Sequence, residues 1–405
     1  MLDSYRPVLA RPAIRAALPG LGLSAVGDGM TGVAVPWLAI RLAPHGGGGA
    51  LAGLAVAAFT LPGVVLAAPL ARWLGHRDGR WLLIANAVAR GGCLAAVPAA
   101  AAMGALTPAV YVTLLACSSV LYAWSGAGKA TMVAELAPGD RLRSANSLLG
   151  TLDWLALLAG PALGGVLIAA IGAPAVLGID ALTWLLLGAT LTWTRRRWPP
   201  EPPQDDDPRP ARGAGLLRAL AGNPRILALI TLSFVFYLLY GPVEVALPVY
   251  VADTGSAQLL GVFWTLLAAG GLVGALLTGA LRRLPLWPAA ITIVAGWGVT
   301  LLPLGLGASL PIALAAFCAG GLIYAPYGPL ARTLLQRESP PHLLARTSAA
   351  WSAVVNLAPP LGTLIAGPFV TTVGAHVTLL WSAVATIALA IAAAAVRISR
   401  AAHRP

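Results

Sequence analysis

Four carboxylates, Asp28, Asp153, Asp180 and Glu244, stand inside long uncharged stretches, and Arg90 lies at comparable depth. An ionisable side chain in hydrocarbon costs about 3 kcal/mol or more, so it normally faces a cavity or a partner. The chemistry open to such a carboxyl is reversible protonation, or exchange of the proton for a cation. Asp28 sits in "SAVGDGMTGVAVPW" (24–37), about 18 Å from the start of its apolar segment at 1.5 Å per residue. Ser24, Thr31 and Gly32 share its helical face at i−4, i+3 and i+4, a small and polar stripe of the kind that lines a cavity. Glu244 shares its face with Tyr237, Tyr240 and Gly241, rings suited to stacking and cation–π contact with an amphipathic guest. Asp153 looks along the same face as Gly160 and Gly164, toward a close-packed surface. These spacings make Asp28, Glu244 and Asp153 candidates for proton coupling, with Ser24, Thr31, Tyr237 and Tyr240 as candidate substrate contacts. The plainer reading for each is a neutral or hydrogen-bonded structural group. Asp180 is expected near the outer surface in that structural role, and depth alone allows an Arg90–Asp153 pair.

Composition sets the medium around these residues. The chain is 58% apolar and 10% charged with mean hydropathy +0.82, which places it in lipid rather than water. Twelve apolar spans are predicted at roughly 16–42, 50–74, 81–103, 108–135, 145–170, 174–194, 226–252, 257–281, 286–306, 309–335, 347–371 and 375–396. The first is too long for a signal peptide and recurs later, so it counts as a span. The expected fold class is therefore an all-α membrane protein of twelve transmembrane helices in two pseudo-symmetric six-helix halves. The net charge of +12 is carried by arginines grouped in alternate loops, with Arg41 alone on the opposite side. By the positive-inside rule both termini are cytoplasmic, and the basic excess is a topology signal rather than a nucleic-acid patch.

The stretch "RRRWPPEPPQDDDPRPARGAG" reads as a flexible linker, which divides the chain into 1–194, a cytoplasmic linker 195–225, and 226–405. The halves echo one another. "LYAWSGAGKATMVAELAPGDRL" from Leu121 aligns with "IYAPYGPLARTLLQRESPPHLL" from Ile323, 202 positions on, and "IGAPAVL" from Ile171 aligns with "VGAHVTL" from Val373 at the same offset. A parallel repeat of six helices is a plan of secondary transporters, with the substrate site between repeats. That plan puts Tyr122, Trp124, Tyr324 and Tyr327 at the central cavity. Lys129, Glu135 and Arg332 fall near span ends, where snorkelling or salt bridges between the halves explain them.

Enzyme signatures are absent. "GAGKAT" lacks the first glycine of a phosphate loop and lies within a helix, the five histidines are scattered, and three cysteines show no ligand spacing. Neither a cofactor nor a metal site is expected, and a monomer is. An uptake symporter on the same fold and a siderophore or metabolite exporter remain alternatives; a channel would instead show rapid flux without saturation.

Several stretches resemble the major facilitator superfamily, specifically its drug:proton antiporter branch with Tap-like multidrug pumps, macrolide efflux pumps and the enterobactin exporter. They are "GDGMTGVAVPWLAIRL", "PVEVALPVYVAD", "LLGVFWTLLAAGGLVGALL", "SANSLL…LAGPALGGVLIAAIGA" and "GLIYAPYGPL…LIAGPFVTTVGAH". The resemblance implies a multi-pass protein of the bacterial inner membrane that exports small amphipathic compounds against protons. "AGPALGG" resembles the antiporter motif, which assigns Gly160, Pro161, Gly164 and Gly165 to a helix able to bend or pack closely. The loop "RWLGHRDGR" matches the family's loop motif at Arg77, Gly79 and Arg80, but His76 replaces its Asp and Arg72 its first Gly. That departure puts the usual latch in doubt and makes Asp78 the candidate substitute.

Overall fold

The computed structural model describes residues 10–44, 46–74, 77–137, 141–198, 223–253, 255–277, 285–340 and 343–402. Apolar runs become helices because in lipid each backbone N–H and C=O must be satisfied within its own segment. In chain order the helices are α1 (Pro12–Leu42), α2 (Gly48–Leu74), α3 (Gly79–Ala102), α4 (Pro108–Ser119), α5 (Tyr122–Leu136), α6 (Arg141–Ile171) and α7 (Ala173–Arg197). There follow α8 (Pro224–Ala252), α9 (Ala257–Leu277), α10 (Leu286–Gly305), α11 (Leu310–Tyr324), α12 (Tyr327–Glu338), α13 (Leu344–Val373) and α14 (Ala375–Ala402). They supply twelve segments long and apolar enough to cross a membrane.

Two expected spans are not single helices. The fourth breaks between α4 and α5, and the tenth between α11 and α12. At the first break Ser118 and Ser119 turn their hydroxyls back to the carbonyls of Leu115 and Ala116, and Ser119 also reaches Ala58 O at 3.1 Å. At the second, Pro326 supplies no N–H and cannot continue a regular helix. Interrupted spans at matching places in a repeat are where transporters bring polar backbone to a binding site. The repeat is also seen at Gly172 and Gly374, whose φ of 85° and 86° let α6 turn into α7 and α13 into α14 without a loop.

The chain falls into two compact units, Met1–Asp206 with Val251–Thr265, and Asp207–Tyr250 with Leu266–Pro405. In the first, α1 packs on α6 and α7, and α3 packs on α7. The α1–α6 contact is backbone on backbone. A Cβ at Gly160 would stand 2.7 Å from Gly29 Cα, and one at Gly164 would stand 2.9 Å from Met30 Cα. On its neighbouring face α6 meets the first turns of α9, where a Cβ at Gly165 would lie 2.8 Å from Ala257 O and 3.2 Å from Gly261 Cα. Thr265 Oγ1 donates there to Leu158 O at 3.3 Å, close to the turn that Pro161 leaves short of a donor. In the second unit α10 packs along α14.

Candidate functional site

In the first unit, α1, α3 and α7 bring Asp28, Arg90 and Trp184 together. Arg90 Nη2 donates to Asp28 Oδ1 at 2.6 Å, and Trp184 Nε1 donates to the same oxygen at 3.2 Å. The guanidinium lies over three rings, Phe59 at 4.4 Å, Trp184 at 5.0 Å and Tyr122 at 5.8 Å. Only 2% of the Arg90 side chain is exposed, against 38% of Asp28. The cation is enclosed, while the carboxyl keeps an open side from which a proton or a cation can reach it.

Behind this pair lies Asp180, fully buried and bound to two hydroxyls. Thr31 Oγ1 donates to Asp180 Oδ2 at 2.6 Å, and Thr183 Oγ1 to Asp180 Oδ1 at 3.1 Å. Thr31 therefore faces α7, and Ser24, also buried, bonds its own helix at Leu21 O. Gly32 is the open member of the stripe: a Cβ added there would meet nothing within 4 Å.

The pairing that depth suggested is replaced by another. Arg90 takes Asp28, while Asp153 is held by Lys129, whose Nζ donates at 2.9 and 3.1 Å. Lys129 thus bridges α5 to α6 inside one unit rather than joining the two halves. Asp180, expected at the periphery, lies one contact from Asp28, because Trp184 follows it by one turn of α7. The sequence carries that i, i+4 spacing, but nothing in it shows that α7 presents this face to α1. Tyr122 is exposed at the start of α5, and the half-buried Trp124 keeps an indole Nε1 without a partner among the described residues.

At the end where α3 begins, Asp78 accepts from Trp81 N at 2.8 Å and from Arg195 Nη2 at 2.7 Å. Arg80 donates to Trp198 O and approaches Glu135 at 3.8 Å; Arg77 covers the Trp81 ring at 4.9 Å. Gly79 packs on the backbone of α5 at Gly128. These contacts tie α3, α5 and α7 together, with Asp78 accepting from α3 and α7; His76 lies outside the described residues.

In the second unit, Glu244 carries no hydrogen bond or ion pair among the described residues and stands one turn after Tyr240. Tyr240 stacks on Tyr324 at 5.3 Å, and Trp297 closes the group at 5.6 Å from Tyr240 and 5.2 Å from Tyr324. Phe236 extends it to Tyr327 at 4.6 Å, and Tyr237 meets Tyr327 at 5.8 Å. Tyr327 is pinned by Ser233 at 3.0 Å, and Arg332 lies over Trp351 at 5.3 Å. Sequence reasoning misses Trp297 and Phe236 because each sits in a uniformly apolar segment.

The Asp28–Arg90 pair is open to test. Arg90→Ala leaves Asp28 without its cation and should lower the thermal midpoint. Removing one partner of a fully buried pair costs about 3–5 kcal/mol, and the open side of Asp28 reduces that here. The Asp28→Asn, Arg90→Ala double variant should recover part of the loss; a midpoint unchanged by Arg90→Ala would mean that the pair contributes nothing to stability.

Twelve apolar spans among the described residues, the fourth and tenth interrupted, with buried charge at mid-span, fit a multi-pass membrane transporter. The model of the Major Facilitator Superfamily matches residues 17–363, and the chain belongs to that family. The multidrug efflux pump Tap of Mycobacterium tuberculosis is 29% identical over 378 residues, spanning 88% of this chain and 87% of that protein. Tap of Mycolicibacterium fortuitum is 29% identical over 377 residues, with 87% and 88% covered. Among solved structures, a mutant of the nucleoside transporter NupG superposes with a TM-score of 0.73 at 14% identity, covering 94% of this chain and 99% of that one.

Proposed function

We propose that this protein exports small, amphipathic, drug-like compounds in exchange for protons. Two six-helix halves, 1–194 and 226–405, would alternate access about a central site, joined by the 195–225 linker. The observation that carries the exchange reading is Asp28, an ionisable group at mid-span, held by Arg90 at 2.6 Å and still open on one side. A proton on Asp28 weakens its hold on Arg90, and its loss restores the pair, so occupancy is coupled to the side-chain link between α1 and α3. Glu244, without a resident cation and beside stacked tyrosines, is the complementary site for cargo. Tyr122 and Trp124 from the first half, with Tyr237, Tyr240, Tyr324 and Tyr327 from the second, are the proposed contacts. The named activity of the Tap relatives supports export, and the chain would act on its cargo without chemical change, as a monomer in the plasma membrane.

The direction of coupling is tested in inside-out vesicles. An acid lumen should drive drug accumulation in the lumen, whereas a symporter would accumulate drug only when the outer medium is the acid side. Orientation has its own check, since arginine placement puts both termini in the cytoplasm. An impermeant thiol reagent added outside cells should label a cysteine introduced at Gly47 and spare one at Gln204. The reverse pattern would overturn the topology.

A further inference from the structure

We propose that Asp180 is an occluded proton-binding site, distinct from Asp28 and holding a proton while the Asp28–Arg90 pair is closed. Its role in exchange rests on the antiport reading above; the location of the proton stands on geometry. Asp180 has no exposed surface. The groups touching its carboxyl are neutral: Thr31 at 2.6 Å from α1 and Thr183 at 3.1 Å from its own helix. A hydroxyl accepts a carboxylic proton as readily as it donates to a carboxylate, so this setting accommodates the acid form. A bare carboxylate there would need a counter-charge.

Among the described residues the surrounding charges supply no spare one. From α1 comes Asp28 and from α3 Arg90, both within electrostatic reach of Asp180. Arg90 is committed to Asp28. From α5, Tyr122 and Lys129 lie within electrostatic reach of Asp28, and Lys129 is itself paired with Asp153 of α6. One arginine cancels one carboxylate, so a single proton makes the Asp28–Asp180–Arg90 cluster neutral. Asp180 holds it at rest because Asp28 has the direct contact with the cation. When the proton passes from Asp180 to Asp28, Arg90 is released to balance Asp180, and the proton leaves through the open side of Asp28.

The test is infrared absorption of the full-length protein in lipid at neutral pH, in the carbonyl band of protonated carboxylic acids. Wild type should show such a band that shifts slowly in heavy water. Asp180→Asn should lose one carboxylic-acid equivalent, and so should Asp28→Asn, which frees Arg90 to balance Asp180 as a protonated Asp28 does. Thr31→Val, similar in volume but without the hydroxyl, should move the band while leaving its area unchanged. The proposal is overturned if the band keeps its full area in Asp180→Asn or in Asp28→Asn, or is unmoved in Thr31→Val. Should Asp180→Asn fail to fold, Thr31→Val decides alone. No substrate enters this measurement, so a wild type with the band but without pH-driven export would refute the antiport reading and leave the Asp180 site standing.

Discussion

Asp28→Asn, in inside-out vesicles with an acid lumen, is expected to retain drug binding and yet accumulate no more drug than protein-free vesicles. Asparagine preserves the size of the side chain and an oxygen for Arg90 and Trp184, so the packing of α1, α3 and α7 survives. What disappears is the exchangeable charge. Glu244→Gln should lose the same activity for a different reason: it removes the carboxylate beside Tyr240 and Tyr324 without breaking any observed bond. The two variants should therefore separate in stability. Asp28→Asn leaves Arg90 short of its counter-charge and should melt below wild type, while Glu244→Gln should melt with it. Wild-type accumulation by Asp28→Asn would reduce Asp28 to a structural group.

The second large effect is expected at α6. Gly160 and Gly164 face the backbone of α1, whereas Gly165 faces Ala257 and Gly261 of α9. A leucine at Gly160 must push α1 away, which overpacks the same bundle that holds Asp28; such insertions cost about 1–3 kcal/mol and often more against backbone. Gly160→Leu should reduce both folded yield and transport. Gly165→Leu should spare the α1 contact and act on the α6–α9 contact, so the protein should fold, bind drug, and turn over at a small fraction of the wild-type rate. Equal transport by Gly165→Leu and wild type would mean that this contact does not need to close during the cycle.

The helices are legible in the sequence because a membrane span is written in composition, and lipid leaves the chain little alternative. Arg90 and the four mid-span acids are legible for the same reason: a charge is conspicuous against leucine and alanine. Partner choice is not. Depth along a helix is a one-dimensional quantity, and it matches Arg90 to Asp153 as readily as to Asp28. The rotation of α3 and α6 about their own axes separates them, and that is fixed by glycine contacts such as Gly29 on Gly160. The break at Ser119 is hidden because serine is tolerated within a membrane helix, and the one at Pro326 because prolines also stand inside unbroken helices such as α1 and α13. Trp297 is invisible because a tryptophan within an apolar run carries no sign of the rings it will meet.

Lys129 is the single lysine of the chain, and its amine is held by Asp153 across α5 and α6. Amine-directed reagents therefore find one side chain in this protein apart from the terminal amine. Its Nζ is held at 2.9 Å from Asp153 Oδ1 when α5 and α6 are joined and is uncovered when they part. The unmodified protein thus contains its own single-site reporter, and the rate at which Lys129 is acylated follows the separation of those two helices with no residue introduced.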